Sequence, residues 1–274
     1  MSSGQQRRQA RRRSRKQVTW WPAIAVIAVT AALGVAFRLA YLAGAFDALW
    51  PWGNGADESS VTQALPERNV SYTTWDPELS PEYYRVVGRA VMDVDVPVGE
   101  IWYAPLDSLG RTVRAAGCID YETMRAGIER DRGELQGHDP SGWGHNGKVD
   151  VQVSGGEVYH GFFWNRSHLI AKSLGGSDEV ENLICGTRMQ NVGANDGEGG
   201  MAYGEKVARS WLYQHKRGWV YYSATPVYEG DELVCRSVIV DIKSHDGSLD
   251  LELEVYNTAF GHDINYATGE YSVQ

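Results

Sequence analysis

Apolar residues gather in two ways along the chain: one long uncharged run near the start, and later short segments with regular spacing. The run is Trp20 to Phe37, WWPAIAVIAVTAALGVAF, eighteen residues without a charge. As a helix it would reach ~27 Å, enough to cross a hydrocarbon core. Arg38 can snorkel to the far interface while LAYLAGAF carries the apolar stretch to residue 46. Residues 1–37 hold seven basic side chains, Arg7 to Lys16, and no acidic one. The positive-inside rule therefore predicts a basic cytoplasmic tail over 1–19 and a transmembrane signal anchor over 20–46, with the rest of the chain outside the cell membrane. Ala43-Gly44-Ala45 offers the alternative of a signal peptide cleaved near Ala45, with the remainder secreted. Both readings export the body of the chain. The polar, acidic segment 47–75 reads as a linker, and 76–274 as one domain.

Within that domain the pattern switches between two periods. Val149–Val153 alternates, Val158–Trp164 is β-branched and aromatic, and Ser154-Gly155-Gly156 between them predicts a hairpin. Tyr203, Val207, Ala208, Trp211 and Leu212 recur at helical spacing and predict a helix over 201–216. Strands are expected at 219–228, 233–242 and 249–255. Strands, then helices, then strands favour an α+β fold with a mostly antiparallel sheet over a doubly wound one.

Charge narrows the function. The seven basic residues of the tail leave 19 Lys+Arg against 35 Asp+Glu in the other 237 residues, a net of −16. So acidic a body cannot hold polyanions by a general positive field and would need a local site with a metal cation. Cys118, Cys185 and Cys235 fit no zinc spacing; they read as small buried residues, with room for one disulfide.

Chemistry-bearing residues are densest over 163–209. Trp164-Asn165-Arg166-Ser167-His168 leads into the Gly175-Gly176 turn, followed by Asn182, Asn191 and Asn195, and then Glu205 and Arg209 one helical turn apart. One imidazole, one carboxylate, two guanidiniums and several amide oxygens argue against zinc and for a hard cation such as Mg²⁺, with water and phosphate completing its shell. A histidine beside such an ion can act as general base without ligating it. Asn195 reads as a turn residue. His138 and His145 read as loop residues, His160 as part of a strand, and His215, His245 and His262 as surface residues.

This stretch resembles the DNA/RNA non-specific endonucleases of the ββα-metal (His-Me finger) class, in particular the DNA-entry nuclease-like subgroup. The signature Asp-Arg-Gly-His appears as Asn165-Arg166-Ser167-His168; Asn182 and Asn191 stand nine apart, and Glu205 and Arg209 four apart. YAPLDSLGRT, PSGWGHNGKV, VYYSATPVYEGDEL and VYNTAFGHDINYATGE extend the resemblance over residues 95–274. It implies the ββα-metal fold and Mg²⁺-dependent phosphodiester hydrolysis of DNA, with RNA left open as a second substrate, leaving 5′-phosphates, with Mn²⁺ as a substitute ion. It assigns His168 as general base, Asn191 as metal ligand and Glu205 as the helix carboxylate linked to the metal. It places Arg166 and Arg209 near the scissile phosphate, Asn165 at the substrate, and Asn182 near the site, either ordering it or contacting substrate. Asn165 for Asp removes a charge beside the base, and Ser167 for Gly implies that φ there is not positive. Cleavage is expected to fall below about pH 6–6.5, as an ordinary imidazole protonates. Two other readings fit the composition: a non-catalytic cell-surface module binding nucleic acid or a wall polymer, and an exported toxin needing an immunity protein.

Overall fold

In the computed structural model, residues 73–131, 135, 137–153, 157–193 and 199–274 are described. The basic tail, the 20–46 anchor, all but the last three residues of the 47–75 linker, the 154–156 turn and Asn195 lie outside them. Among the described residues no helix is long and apolar enough to cross a membrane.

The chain enters through β1 (Tyr84–Gly88), β2 (Ile101–Tyr103), β3 (Ala115–Asp120) and helix α1 (Tyr121–Glu129). A hairpin of β4 (Lys148–Gln152) and β5 (Val158–Phe162) comes next, then β6 (Trp164–His168), β7 (Leu183–Thr187) and the short helix α2 (Arg188–Val192). Helix α3 (Gly200–Gln214) precedes β8 (Trp219–Val227), β9 (Ser237–Ser244) and β10 (Asp250–Tyr256). The last hairpin pairs β11 (His262–Asn265) with β12 (Glu270–Val273). The main sheet has the order β1-β10-β9-β8-β3-β2, and each neighbouring pair is antiparallel. The expected α+β class with an antiparallel sheet is present.

Helix α3 lies on this sheet because its apolar stripe has the 3.6-residue period. Ala208, Trp211 and Leu212 share a core with Tyr222, Ile242 and Leu253 of the strands. Gly204 sets the spacing: a Cβ there would stand 3.0 Å from Ile242 Cδ1 and 3.1 Å from Leu253 Cδ1. The helix therefore comes close to the sheet at the turn that carries Glu205. A second core of Phe163, Trp164, Cys185 and Met189 holds the β6–β7–α2 unit. Tyr271 stacks on Phe163 with centroids 3.9 Å apart, and the Trp164 indole donates to the Gly269 carbonyl at 2.9 Å. Truncating a buried aromatic of this kind costs ~3–5 kcal/mol.

Three expectations are corrected. The 158–164 run is not one strand. Phe163 N–H donates to the Gly147 carbonyl, while Asn146 takes both the N–H and the carbonyl of Trp164 at 2.9 Å, ending the hairpin there. The strand expected at 233–242 begins at Ser237, because Val234 N–H is taken by the Tyr266 carbonyl. His262 is buried rather than at the surface, its Nδ1–H donating to the Phe260 carbonyl at 2.9 Å. The three cysteines are buried free thiols with no bridge among them. Burial pushes the Cys235 thiol up to about 12 and raises Cys185 further.

Candidate active site

Two paired strands and two helices build the site. β6 and β7 run antiparallel from Trp164↔Thr187 to His168↔Leu183, so His168 stands at the open end of β6. Thr187 then caps α2, its hydroxyl accepting the Gln190 N–H at 2.9 Å, and the helix turns back over β6. That return brings Asn191 to Ser167, whose hydroxyl donates to Asn191 Oδ1 at 3.1 Å. Among the described non-glycine residues only Tyr83 has positive φ, so Ser167 sits in ordinary extended backbone. A side chain at this position thus serves to orient the neighbouring amide.

Five of the seven residues singled out in the sequence, Asn165, Arg166, His168, Asn191 and Glu205, line one open cleft of about 730 Å³. Asn165 Nδ2 is buried without a hydrogen-bond partner. Arg166 donates from Nε to Asp139 at 2.9 Å and lies 4.2 Å over the Trp143 ring, which fixes its guanidinium at the rim. His168 places Nε2 2.9 Å from Asp178 Oδ1. Burial raises the Glu205 carboxyl above the usual range, and Arg209, 3.4 Å away, opposes the rise.

The other two residues stand back from the cleft. Arg209 is braced between Glu205 and the Ser173 hydroxyl, 2.7 Å away, and holds the carboxylate from behind. Asn182, expected either to order the site or to contact substrate, is completely buried. Its Oδ1 accepts the Ile170 N–H at 2.9 Å, and its Nδ2 donates to the carbonyls of Ile170 and Ser177 at 2.9 and 2.8 Å. With both amide hydrogens on backbone and no exposed surface, the side chain orders the loop and has no face for substrate. Asp178 and Asp139 were not foreseen in the sequence. The signal for Asp178 was a carboxylate just after a Gly-Gly turn that folds the chain back toward the histidine. Among the described residues no three His, Cys, Asp or Glu side chains gather as a metal-binding set.

The family model of the DNA/RNA non-specific endonucleases matches residues 93–246, a span holding all seven residues. A deoxyribonuclease from Streptococcus dysgalactiae subsp. equisimilis is 32% identical over 249 residues, covering 77% of this chain and 75% of that protein. This chain belongs to the DNA/RNA non-specific endonuclease family. The endonuclease is a nucleic-acid-hydrolysing enzyme, so the reading as a non-catalytic module falls away. Its fold is similar to that of Sda1 nuclease, solved with a bound zinc ion, at a TM-score of 0.70 and 32% identity; the match covers 73% of the endonuclease and 100% of that chain. NucA from Streptococcus agalactiae, solved with a magnesium ion bound, shares the fold at a TM-score of 0.54 and 23% identity, covering 69% of this chain and 88% of that one.

Proposed function

We propose that the endonuclease uses a divalent cation, Mg²⁺ with Mn²⁺ as substitute, to hydrolyse phosphodiester bonds of DNA, with RNA left open as a second substrate, with little sequence preference and leaving 5′-phosphate ends. The observation that carries this reading is the meeting of His168, Asn191 and Glu205 on one cleft. The donor set fits a hard cation: the Asn191 amide oxygen is oriented by Ser167, and the Glu205 carboxylate is held by Arg209. Metal-bound nucleases among the solved relatives support a divalent ion. Asn191 would ligate it directly and Glu205 through water. When bound, the ion supplies Lewis-acid stabilisation of the charge that develops on phosphate and leaving oxygens.

The chain's own residues do the rest. His168 removes a proton from the attacking water. Arg166, fixed by Asp139 and Trp143, presents positive charge at the cleft rim to the phosphate. Asn165 lines the same cleft beside Arg166 and His168, at the wall the substrate would pass. The positive charge at the rim lets a body of net charge −16 act on a polyanion. We place the enzyme outside the cell, held by the 20–46 anchor or released near Ala45, on the strength of the basic tail and the apolar run.

Supercoiled plasmid tests this reading. The purified protein should nick and linearise it with Mg²⁺ and stop on addition of chelator, and the ends should ligate without prior phosphorylation. Cutting that persists in chelator would overturn it.

A further inference from the structure

We propose that Asp178 is a positioning residue for the reaction: its carboxylate accepts the Nε2–H of His168 and leaves the ring's lone pair on Nδ1 to take the proton from water. The inference rests on the reading of His168 as general base. Nε2 and Oδ1 are 2.9 Å apart, and both side chains are less than one-fifth exposed. A neutral imidazole has one N–H, and an ionised carboxylate only accepts, so the nitrogen facing Asp178 carries the hydrogen. The ring's other nitrogen then has the basic lone pair.

The loop around this pair is fixed at both ends. Asn182 accepts the Leu169 N–H through its backbone carbonyl at 2.8 Å. Its side chain ties Ile170, two residues after the base, to Ser177, one residue before the carboxylate. Ser177 N–H donates to the Tyr103 hydroxyl at 2.8 Å, and Arg130 donates to the Gly176 carbonyl at 2.5 Å. Gly176 must lack a Cβ, which would fall 1.8 Å from the Ile170 carbonyl oxygen. One buried amide thus sets the separation of His168 and Asp178.

In the step itself a water O–H bond breaks and its proton goes to Nδ1. The oxygen forms the new bond to phosphorus, the bond to the 3′ oxygen breaks with its electron pair on that oxygen, and the oxygen takes a proton from solvent. The imidazolium formed carries a positive charge next to the Asp178 carboxylate, so the pair stabilises the charge produced as the base works.

The test compares Asp178→Asn and His168→Ala with wild type, all as the full-length chain, in steady-state cleavage. Imidazole ¹⁵N NMR of histidine-labelled wild type reads the tautomer, with the His168 signal assigned by its loss in His168→Ala. Asparagine keeps the size of the side chain but removes the charge, and its N–H can draw the ring proton to Nδ1. Asp178→Asn should lower kcat roughly 10- to 100-fold with KM within about twofold and the melting temperature unchanged. Wild type should show the proton on Nε2. Wild-type kcat in Asp178→Asn, or a proton on Nδ1 in wild type, would overturn the role of Asp178 while leaving the base in place. Cleavage at the wild-type rate by His168→Ala would instead remove the base reading and this inference together.

Discussion

Replacing Asn182 with alanine separates an ordering role from a substrate contact. The substitution strips partners from the Ile170 N–H and from the carbonyls of Ile170 and Ser177, and the two Ile170 bonds are fully inside the protein. Each buried group left unpaired costs ~1–3 kcal/mol, and a water entering the space recovers part of that. A net loss of about 3 kcal/mol is therefore expected. For a domain of this size it lowers the melting temperature by roughly 6–12 °C. The loop then loosens where it joins His168 to Asp178, so kcat should fall even well below the melting transition, with KM for plasmid nearly unchanged. Differential scanning calorimetry and initial-rate cleavage at room temperature read the two effects. A variant that melts with wild type and differs only in a raised KM would refute the reasoning and return Asn182 to the substrate.

Three further outcomes are expected from the site and the core. Ser167→Ala removes the hydroxyl that orients Asn191 Oδ1, so the Mg²⁺ concentration for half-maximal cleavage should rise roughly tenfold, with calorimetric Mg²⁺ binding weakened in step; an unchanged titration would count against that bond. Burial raises the Glu205 carboxyl in the folded protein, so between the unfolded and folded values the native state holds more protons, and stability falls as pH rises through that window. Glu205→Gln should accordingly melt above wild type at about pH 7 in metal-free buffer, lose the gain below the ordinary carboxyl range, and cut poorly with metal; a lower melting point at neutral pH would contradict the sign. Cys118, Cys185 and Cys235 should resist a thiol reagent in the native protein and react once it is unfolded, and reductant should leave the melting temperature alone.

The parts of the fold legible from sequence are those where one face is buried. Helix α3 shows its stripe because Trp211 and Leu212 point to the sheet while Lys206 and Ser210 face water. Strand β3 gives no such signal: Ala115, Ala116, Gly117, Cys118 and Ile119 are all buried, so no alternation appears. Its small residues answer a close approach, since a Cβ on Gly117 would stand 2.9 Å from Ile101 Cγ1. Strand β7, Leu183–Thr187, is buried throughout for similar reasons and was likewise invisible. In the site, His168, Asn191 and Glu205 could be singled out because side-chain type and spacing mark them. Asp178 was passed over, because a carboxylate after a Gly-Gly turn is a weak signal until the loop closes through tertiary contacts. Asn182 carried two readings in the sequence because an amide serves equally well at a substrate or inside a loop, and only burial tells these apart.

The central claim is that one imidazole activates water beside a cation held by a neighbouring amide. Plasmid cleavage by His168→Ala at saturating Mg²⁺, with Mg²⁺ binding measured on the same sample by calorimetry, tests it most directly. The expected result is ion binding close to wild type with cleavage lost by at least ~100-fold. Cleavage at the wild-type rate by a variant that still binds the ion would contradict the account.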